Sequence, residues 1–383
     1  MSIEGVTFTS ESTSSAARAI MGDALRKADP VGARGVENET NWRRNYLTHF
    51  RRALEAGIGE PPAAHSIAAD GLRSARDQMR FGNERLDDAI PNSALTQVFH
   101  TQTIKGGGEI ETELTLPYRG ERLSGKALLD QLDEWVTSGV ITQSCSNAVR
   151  TVIDNPEWMR LEGDTMVVLG AGAEMGPYRA LMRWGATCVA LDLPRADVQS
   201  RISEYAAESA GQLHVPARIV TNGGADVGAD LITELPAVAE WLDHIDGRLV
   251  LGNYCYADGG AHVRVSMAAD ALATHLIDNR PDTALAFLAT PTDVFAVPTE
   301  EVAVANAAYD SRTVSKVLRT PVRLASGGRL LQRNYPPGAD PGICDALVPQ
   351  QGPNYALAKR LQRWRATTSL HEGTTVSLNV APA

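Results

Sequence analysis

Met166-Val167-Val168-Leu169-Gly170-Ala171-Gly172-Ala173-Glu174-Met175-Gly176 joins a short apolar run to a glycine-rich turn. The run predicts a buried strand, and a helix is predicted from the glycines to about Trp184. Gly170 and Gly172 permit a tight turn and close backbone approach, and the start of the following helix would offer unpaired N–H groups to a pyrophosphate. Met175 stands where GxGxxG needs its third glycine, whereas Gly176 fits GxGxxxG. A second strand, Thr187–Leu191, ends at Asp192, about 20 residues beyond Gly170, where a carboxylate would accept hydrogen bonds from an adenosine ribose. A 2′-phosphate there would meet a like charge, at a cost of about 1 kcal/mol in water and about 4 kcal/mol at an effective dielectric of about 20. The expected cofactor is therefore NAD, with NADP disfavoured.

Further strand candidates follow at Ala217–Thr221, Arg248–Leu251, Ala284–Ala289 and Val376–Val380, alternating with helical stretches. Strand–helix alternation of this kind predicts an α/β fold, a doubly wound parallel sheet covered on both faces. The first 160 residues read differently. Asn41 is placed to cap a helix carrying Trp42, Tyr46, Phe50 and Leu54 on one face, and further helices are predicted over about Ala64 to Arg80 and Ser124 to Gly139. Between them Ile110, Thr112, Leu114 and Leu116 alternate with Glu111, Glu113 and Thr115 after Gly106-Gly107-Gly108, which predicts a β-hairpin turning at the glycines. Lys105 beside these glycines lacks the GxxxxGK[ST] spacing of a phosphate loop. The expected organisation is a mainly helical N-terminal domain with a β-hairpin, residues 1–160, followed by a nucleotide-binding domain, residues 161–383.

Charge and composition bound the partners. Lys+Arg 36 against Asp+Glu 46 leaves a net charge of −10, which argues against nucleic acid and anionic membrane surfaces. No apolar run is long enough to span a bilayer and the first residues are unlike a secretory signal, so the expectation is a cytoplasmic protein with a small-molecule partner. Cys145, Cys188, Cys255 and Cys344 form no CxxC pair, and the histidines include no HExxH, so no disulfide framework or metal site is expected. No GxSxG nucleophile elbow occurs. Arg43, Arg44, Arg51 and Arg52 read as a solvated basic helix face, with contact to a phosphate or carboxylate as the alternative.

The tail carries the chemical clue. Tyr355-Ala356-Leu357-Ala358-Lys359 places a phenol and an ammonium one helical turn apart, where the cation would favour the phenolate. The following strand, Val376-Ser377-Leu378-Asn379-Val380-Ala381-Pro382, then resembles the Asn-x-x-x-Pro-Gly segment of short-chain dehydrogenases/reductases, with Ala383 in place of the glycine. Against that family's GxxxGxG, Gly170 and Gly176 match while Glu174 replaces the middle glycine. Asp226-Val227 resembles its adenine-contacting Asp-Val, and Gly252-Asn253 weakly resembles its Asn-Asn-Ala-Gly. The resemblance covers about residues 160–383. It implies a Rossmann-fold, nicotinamide-dependent oxidoreductase acting on a carbonyl or alcohol. Tyr355 would be the acid/base, Lys359 would support the phenolate and the nicotinamide ribose, and Thr290, slightly favoured over Thr292, would replace the usual serine. Gly170, Gly172, Glu174, Met175, Gly176, Asp192, Asp226, Val227, Asn253, Lys359 and Pro382 would contact the cofactor.

Departures from the family pattern keep alternatives open. Residues 293–350 form an insertion before the Tyr helix, with a rival Tyr309/Arg312/Lys316 face, and would form a lid or an interface. Relatives continue beyond the point corresponding to Ala383, so further chain, the N-terminal helices or a partner subunit of a homo-oligomer would complete the site. The alternatives are a non-catalytic nucleotide-binding interaction protein and an S-adenosylmethionine-dependent methyltransferase. The latter is disfavoured because Val168 and Leu169, not an acidic residue, precede the first glycine.

Overall fold

Apolar runs bounded by glycine and polar residues form the middle of the central sheet. In the computed structural model, which describes residues 5–10, 12–94, 97–219, 225–311, 313–328 and 330–380, its strands are β1 (His100–Lys105), β2 (Asp164–Leu169), β3 (Thr187–Leu191), β4 (Gln212–Ile219), β5 (Ala225–Val227), β6 (Arg248–Asn253), β7 (Ala284–Ala289) and β8 (Val376–Val380). Six of them are parallel neighbours in the order β4-β3-β2-β6-β7-β8, and β1 and β5 each pair antiparallel with β4. The fold is thus α/β with a mostly parallel sheet.

The helices that matter here are α1 (Thr13–Leu25), α2 (Trp42–Glu55), α3 (Pro61–Asp77), α4 (Tyr178–Arg183), α5 (Ala196–Glu208), α6 (Leu231–Asp243), α7 (Gly260–Asn279) and α8 (Pro353–His371). Met166, Val168, Cys188 and Ala190 pack with Tyr178, Leu181 and Met182 of α4 and with Val198, Ile202 and Ala206 of α5. The alternating residues Val167, Leu169, Val189 and Leu191 are also buried. Burial of successive residues, which point to opposite faces, means the sheet is covered on both sides.

The chain divides into two compact units, and not at residue 160. One comprises Met1–Thr112, Glu157–Asp293 and Leu347–Ala383, so the first helices belong to the same unit as the parallel sheet. The other comprises Glu113–Pro156 and Val294–Ala346. It holds helices Gly125–Thr137 and Gln143–Asp154, the hairpin Leu116–Tyr118/Glu121–Leu123, helices Thr299–Ser311 and Thr313–Ala325, and the paired strands Phe295–Val297 and Gly342–Cys344.

The hairpin expected at Gly106–Gly108 does not form. Its first arm is β1, which joins the central sheet, and of the alternating residues only Leu116 enters a strand. The glycines serve close approach instead of a turn. The N–H groups of Gly106, Gly107 and Gly108 donate to the carbonyls of Gly211, Ala207 and Ser209, and a Cβ at Gly106 or Gly108 would run into the Ser209 or Glu208 backbone. Thr221, the expected end of the third strand, lies outside the described residues.

Helix α8 is buried nearly all round, which its polar sequence does not suggest. Ala356, Leu357, Leu361 and Trp364 are buried, and so are Lys359, Arg360, Gln362 and Arg365. The polar groups are paired. Arg360 and Arg363 hold Asp293 at 2.5 and 2.6 Å, Arg365 holds Asp270 at 2.6 Å, and Gln362 Nε2 donates to Ser266 Oγ at 3.3 Å. Against α3, α8 packs the Trp364 ring directly onto Gly71, with no room for a Cβ. Gly71→Ala is therefore expected to lower stability by about 1–3 kcal/mol through overpacking, despite alanine's better helix propensity. An unchanged or raised urea midpoint would contradict this packing.

Candidate functional site

In this sheet the chain leaves β2 towards β3 and β4, then returns to β6 on the other side of β2. A crevice opens beyond the carboxyl ends of strands that diverge in this way. The turn after β2 forms one wall. Gly170 adopts φ +79°, and a Cβ there would lie 2.9 Å from the Tyr254 carbonyl, so glycine is required. Asp192, at the end of β3, closes this turn, its carboxylate accepting from the N–H of Gly172 and of Leu193, both at 2.8 Å.

A cavity of about 400 Å³ lies here, lined among others by Gly170, Gly172, Asp192, Asp230, Cys255 and Tyr256. A second, of about 330 Å³, shares Ala173, Cys255 and Tyr256 with it. It brings together Glu174, Met175 and Gly176 from the glycine turn, Thr290 beyond β7, and Tyr355 and Lys359 from the first turns of α8. Residues separated by some 180 positions in the chain thus face one space. A third cavity, of about 390 Å³, lies on the other side of Tyr256 and Tyr355 and includes Thr13, Arg43, His262 and Asn354.

Lys359 Nζ donates to the Leu288 carbonyl at 3.2 Å and to Gln362 Oε1 at 3.1 Å, and no hydrogen bond joins it to the Tyr355 hydroxyl. Burial lowers its pKa to about 8, against a smaller opposing effect of Cys255. Burial pushes the Cys255 thiol up to about 12, so it is protonated at neutral pH and is no nucleophile. The Thr290 and Thr292 hydroxyls share a hydrogen bond of 2.7 Å, which orients Thr290 at the cavity wall.

His262 sits in the first turn of α7, 1% exposed, with its ring 5.1 Å from that of Tyr355 and 5.4 Å from that of Tyr256. Neither ring nitrogen is hydrogen-bonded to a side chain, and the Cys255 backbone is the polar group that acts on the ring. Burial, reinforced by the Lys359 charge, lowers its pKa to about 4, so the ring is neutral.

Other expected positions fall elsewhere. Asp226 and Val227 lie in β5, outside these cavities, Asp226 being exposed and paired with Arg218 at 3.4 Å; Ala229–Ile232 line the crevice instead. Asn253 is buried at the end of β6, where its Oδ1 accepts from the Cys255 N–H at 3.3 Å. The helix expected directly after the glycines is short: α4 begins at Tyr178, after Gly176 and Pro177, and has 6 residues. Pro382 and Arg312 lie outside the described residues, and the Tyr309 hydroxyl donates to the Leu331 carbonyl at 2.7 Å. Among the described residues no group of three or more His, Cys, Asp and Glu could hold a metal ion, and no helix is long and apolar enough to cross a membrane.

Cys255, Tyr256 and His262 were not among the expected site residues. Gly259-Gly260 ahead of a helical pattern was the available signal, since it puts His262 in a first turn. Compared with protein-family models, curated proteins and solved structures, the chain has no match in any of the three.

The depressed Lys359 pKa has a sign that stability measurements can read. The unfolded chain holds the proton to about 10.5 and the folded chain only to about 8, so Lys359 lowers stability below pH 8 and this penalty is relieved as pH rises between the two values. Relative to Lys359→Met, wild type is expected to gain about 2 kcal/mol between pH 7 and about 9.5 in urea denaturation. A difference that stays constant with pH would contradict the assignment.

Proposed function

We propose that the chain is an NAD-dependent oxidoreductase that transfers hydride between nicotinamide and a carbonyl or alcohol, in the manner of short-chain dehydrogenases/reductases. The observation that carries this reading is the meeting of Tyr355, Lys359 and Thr290 with Glu174, Met175 and Gly176 around one cavity, next to a crevice lined by Asp192. The strand order supports it. Numbered along the chain, the parallel strands run 3-2-1-4-5-6, the arrangement of dinucleotide-binding doubly wound sheets, with the crevice at the switch point.

On this reading Asp192 would hold the adenosine ribose, and the cavity of Tyr355, Lys359 and Thr290 would take the nicotinamide. Bound NAD(H) supplies or accepts the hydride. The Tyr355 hydroxyl gives a proton to the carbonyl oxygen during reduction and takes it back during oxidation. Thr290 donates to the same oxygen. Lys359, with its pKa near 8, is mostly cationic at neutral pH and stands in the same cavity as the phenol. The carboxylate of Asp192 disfavours a 2′-phosphate and hence NADP.

A second reading has one observation in its favour. The Lys359 ammonium is engaged by Leu288 and Gln362 and not by the phenol, as a nucleotide-binding protein without hydride transfer would allow. Fluorescence titration with NADH and calorimetry with S-adenosylmethionine separate the ligand classes, and saturable binding of NADH alone is expected. Binding of S-adenosylmethionine alone would overturn the oxidoreductase. Given NADH binding, turnover over a carbonyl and alcohol panel is expected to fall at least 100-fold in Tyr355→Phe, in line with general acid–base catalysis. Equal turnover would remove Tyr355 from the role. Asp192→Ala is expected to shift preference towards NADP, and an unchanged NADP/NAD ratio would count against the ribose contact.

A further inference from the structure

The third cavity differs in character from the two that the nucleotide reading uses. Three long helices begin at its wall: α1 contributes Thr13 and Ser14, α7 is preceded by Gly259, and α8 by Gly352 with Pro353 and Asn354 in its first turn. Helix starts carry unpaired N–H groups and a partial positive charge, so converging starts make a space that favours an anion. Arg43, in the first turn of α2, lines the same cavity and forms no ion pair among the described residues. The opposing charge is Asp258, an exposed carboxylate that accepts from the Tyr256 hydroxyl at 3.2 Å.

His262 is the independent indication of a ligand. It lines this cavity, is 1% exposed, and has no side-chain hydrogen bond at either ring nitrogen, the Cys255 backbone being the polar group that acts on the ring. A buried ring nitrogen without a side-chain partner carries a desolvation cost that a polar ligand group in the cavity would relieve. Tyr355 lines both this cavity and the one facing Lys359 and Thr290, so a molecule held at Arg43 extends towards the phenol.

We propose that this cavity is the substrate's anion subsite, with Arg43 as the cation that receives a carboxylate or phosphate and His262 as a hydrogen-bond partner beside it. The inference rests on the oxidoreductase reading only in calling the occupant a substrate. The substrate is then a carbonyl or alcohol compound bearing an anionic oxygen group. Charge-assisted hydrogen bonding at Arg43 would select it over neutral analogues.

Calorimetry at low salt tests this with two pairs of probes, 3-hydroxybutyrate against 3-hydroxybutyramide and glycerol phosphate against glycerol, each with and without NADH. At least one anionic probe is expected to bind roughly tenfold or more tightly than its neutral partner. The preference should disappear in Arg43→Gln and persist in Arg44→Gln, whose side chain lies outside the cavity, and His262→Phe should weaken the anionic probe. Which pair discriminates tells carboxylate from phosphate. Equal binding within both pairs, no binding of any probe at millimolar concentration, or full retention of the preference in Arg43→Gln would overturn the subsite. Anion preference lost in Arg43→Gln without any NADH binding would leave the subsite standing and remove the oxidoreductase.

Discussion

The Asp270 carboxylate, buried between two guanidinium groups, is the contact on which the placement of the candidate site depends. Asp270 belongs to α7, Arg365 to α8 and Arg76 to α3; the carboxylate meets Arg365 at 2.6 Å and Arg76 at 2.8 Å. Burial alone would raise this carboxyl, but the two cations bring its pKa down to about 2. The arrangement leaves no neutral alternative. Loss of the carboxylate would strand buried guanidinium groups, at a cost on the order of 3–5 kcal/mol. The contact therefore sets where α8 lies along α7, and α8 carries Tyr355 and Lys359. Arg360 and Arg363, clamped on Asp293, fix the same helix from its other side, next to Thr290 and Thr292.

This pairing explains which parts of the fold could be read in the sequence. Strands β3 and β7 occupy the expected residues because short apolar runs closed by polar or glycine residues have few other solutions in a sheet covered on both faces; β8 does so too, although it is largely exposed. The glycine turn was equally visible, since Gly170 is dictated by its own backbone and its neighbour at Tyr254. Strand β1 was less accessible. His100-Thr101-Gln102-Thr103-Ile104-Lys105 carries little apolar signal and becomes a strand through pairing with β4, a partner more than a hundred residues away. Local alternation suggested instead that residues 110–116 would be a strand, of which only Leu116 enters one.

The division of the chain was hidden for a similar reason. Helices α1 to α3 look like a domain of their own in sequence, yet their apolar faces and Arg76 are matched to α7 and α8, which lie far along the chain. Nothing local to residues 1–112 encodes that match. Candidate site residues divide along the same line. Gly170, Asp192, Tyr355 and Lys359 sit in motifs with internal spacing, whereas Arg43 and His262 acquire significance only because α1, α7 and α8 begin around one space.

Tyr256 links the three cavities and constrains how any ligands would be arranged. It lines all of them, so the space at Asp192, that at Lys359 and that at Arg43 share a wall at Tyr256. At one end stand Gly172 and Asp192, suited to the neutral hydroxyls of a ribose; at the other stand Arg43 and converging helix starts, suited to an anion. The phenol of Tyr355 lies between these ends. A proton-transfer group is useful where the reactive part of one molecule meets the reactive part of another, and the boundary between two chemically different binding spaces is such a place. The polar lining of the Arg43 cavity would be wasted on a nucleotide held from Asp192 to Lys359. Its presence beyond Tyr355 is the physical reason for preferring a two-ligand site over a protein that only holds a nucleotide.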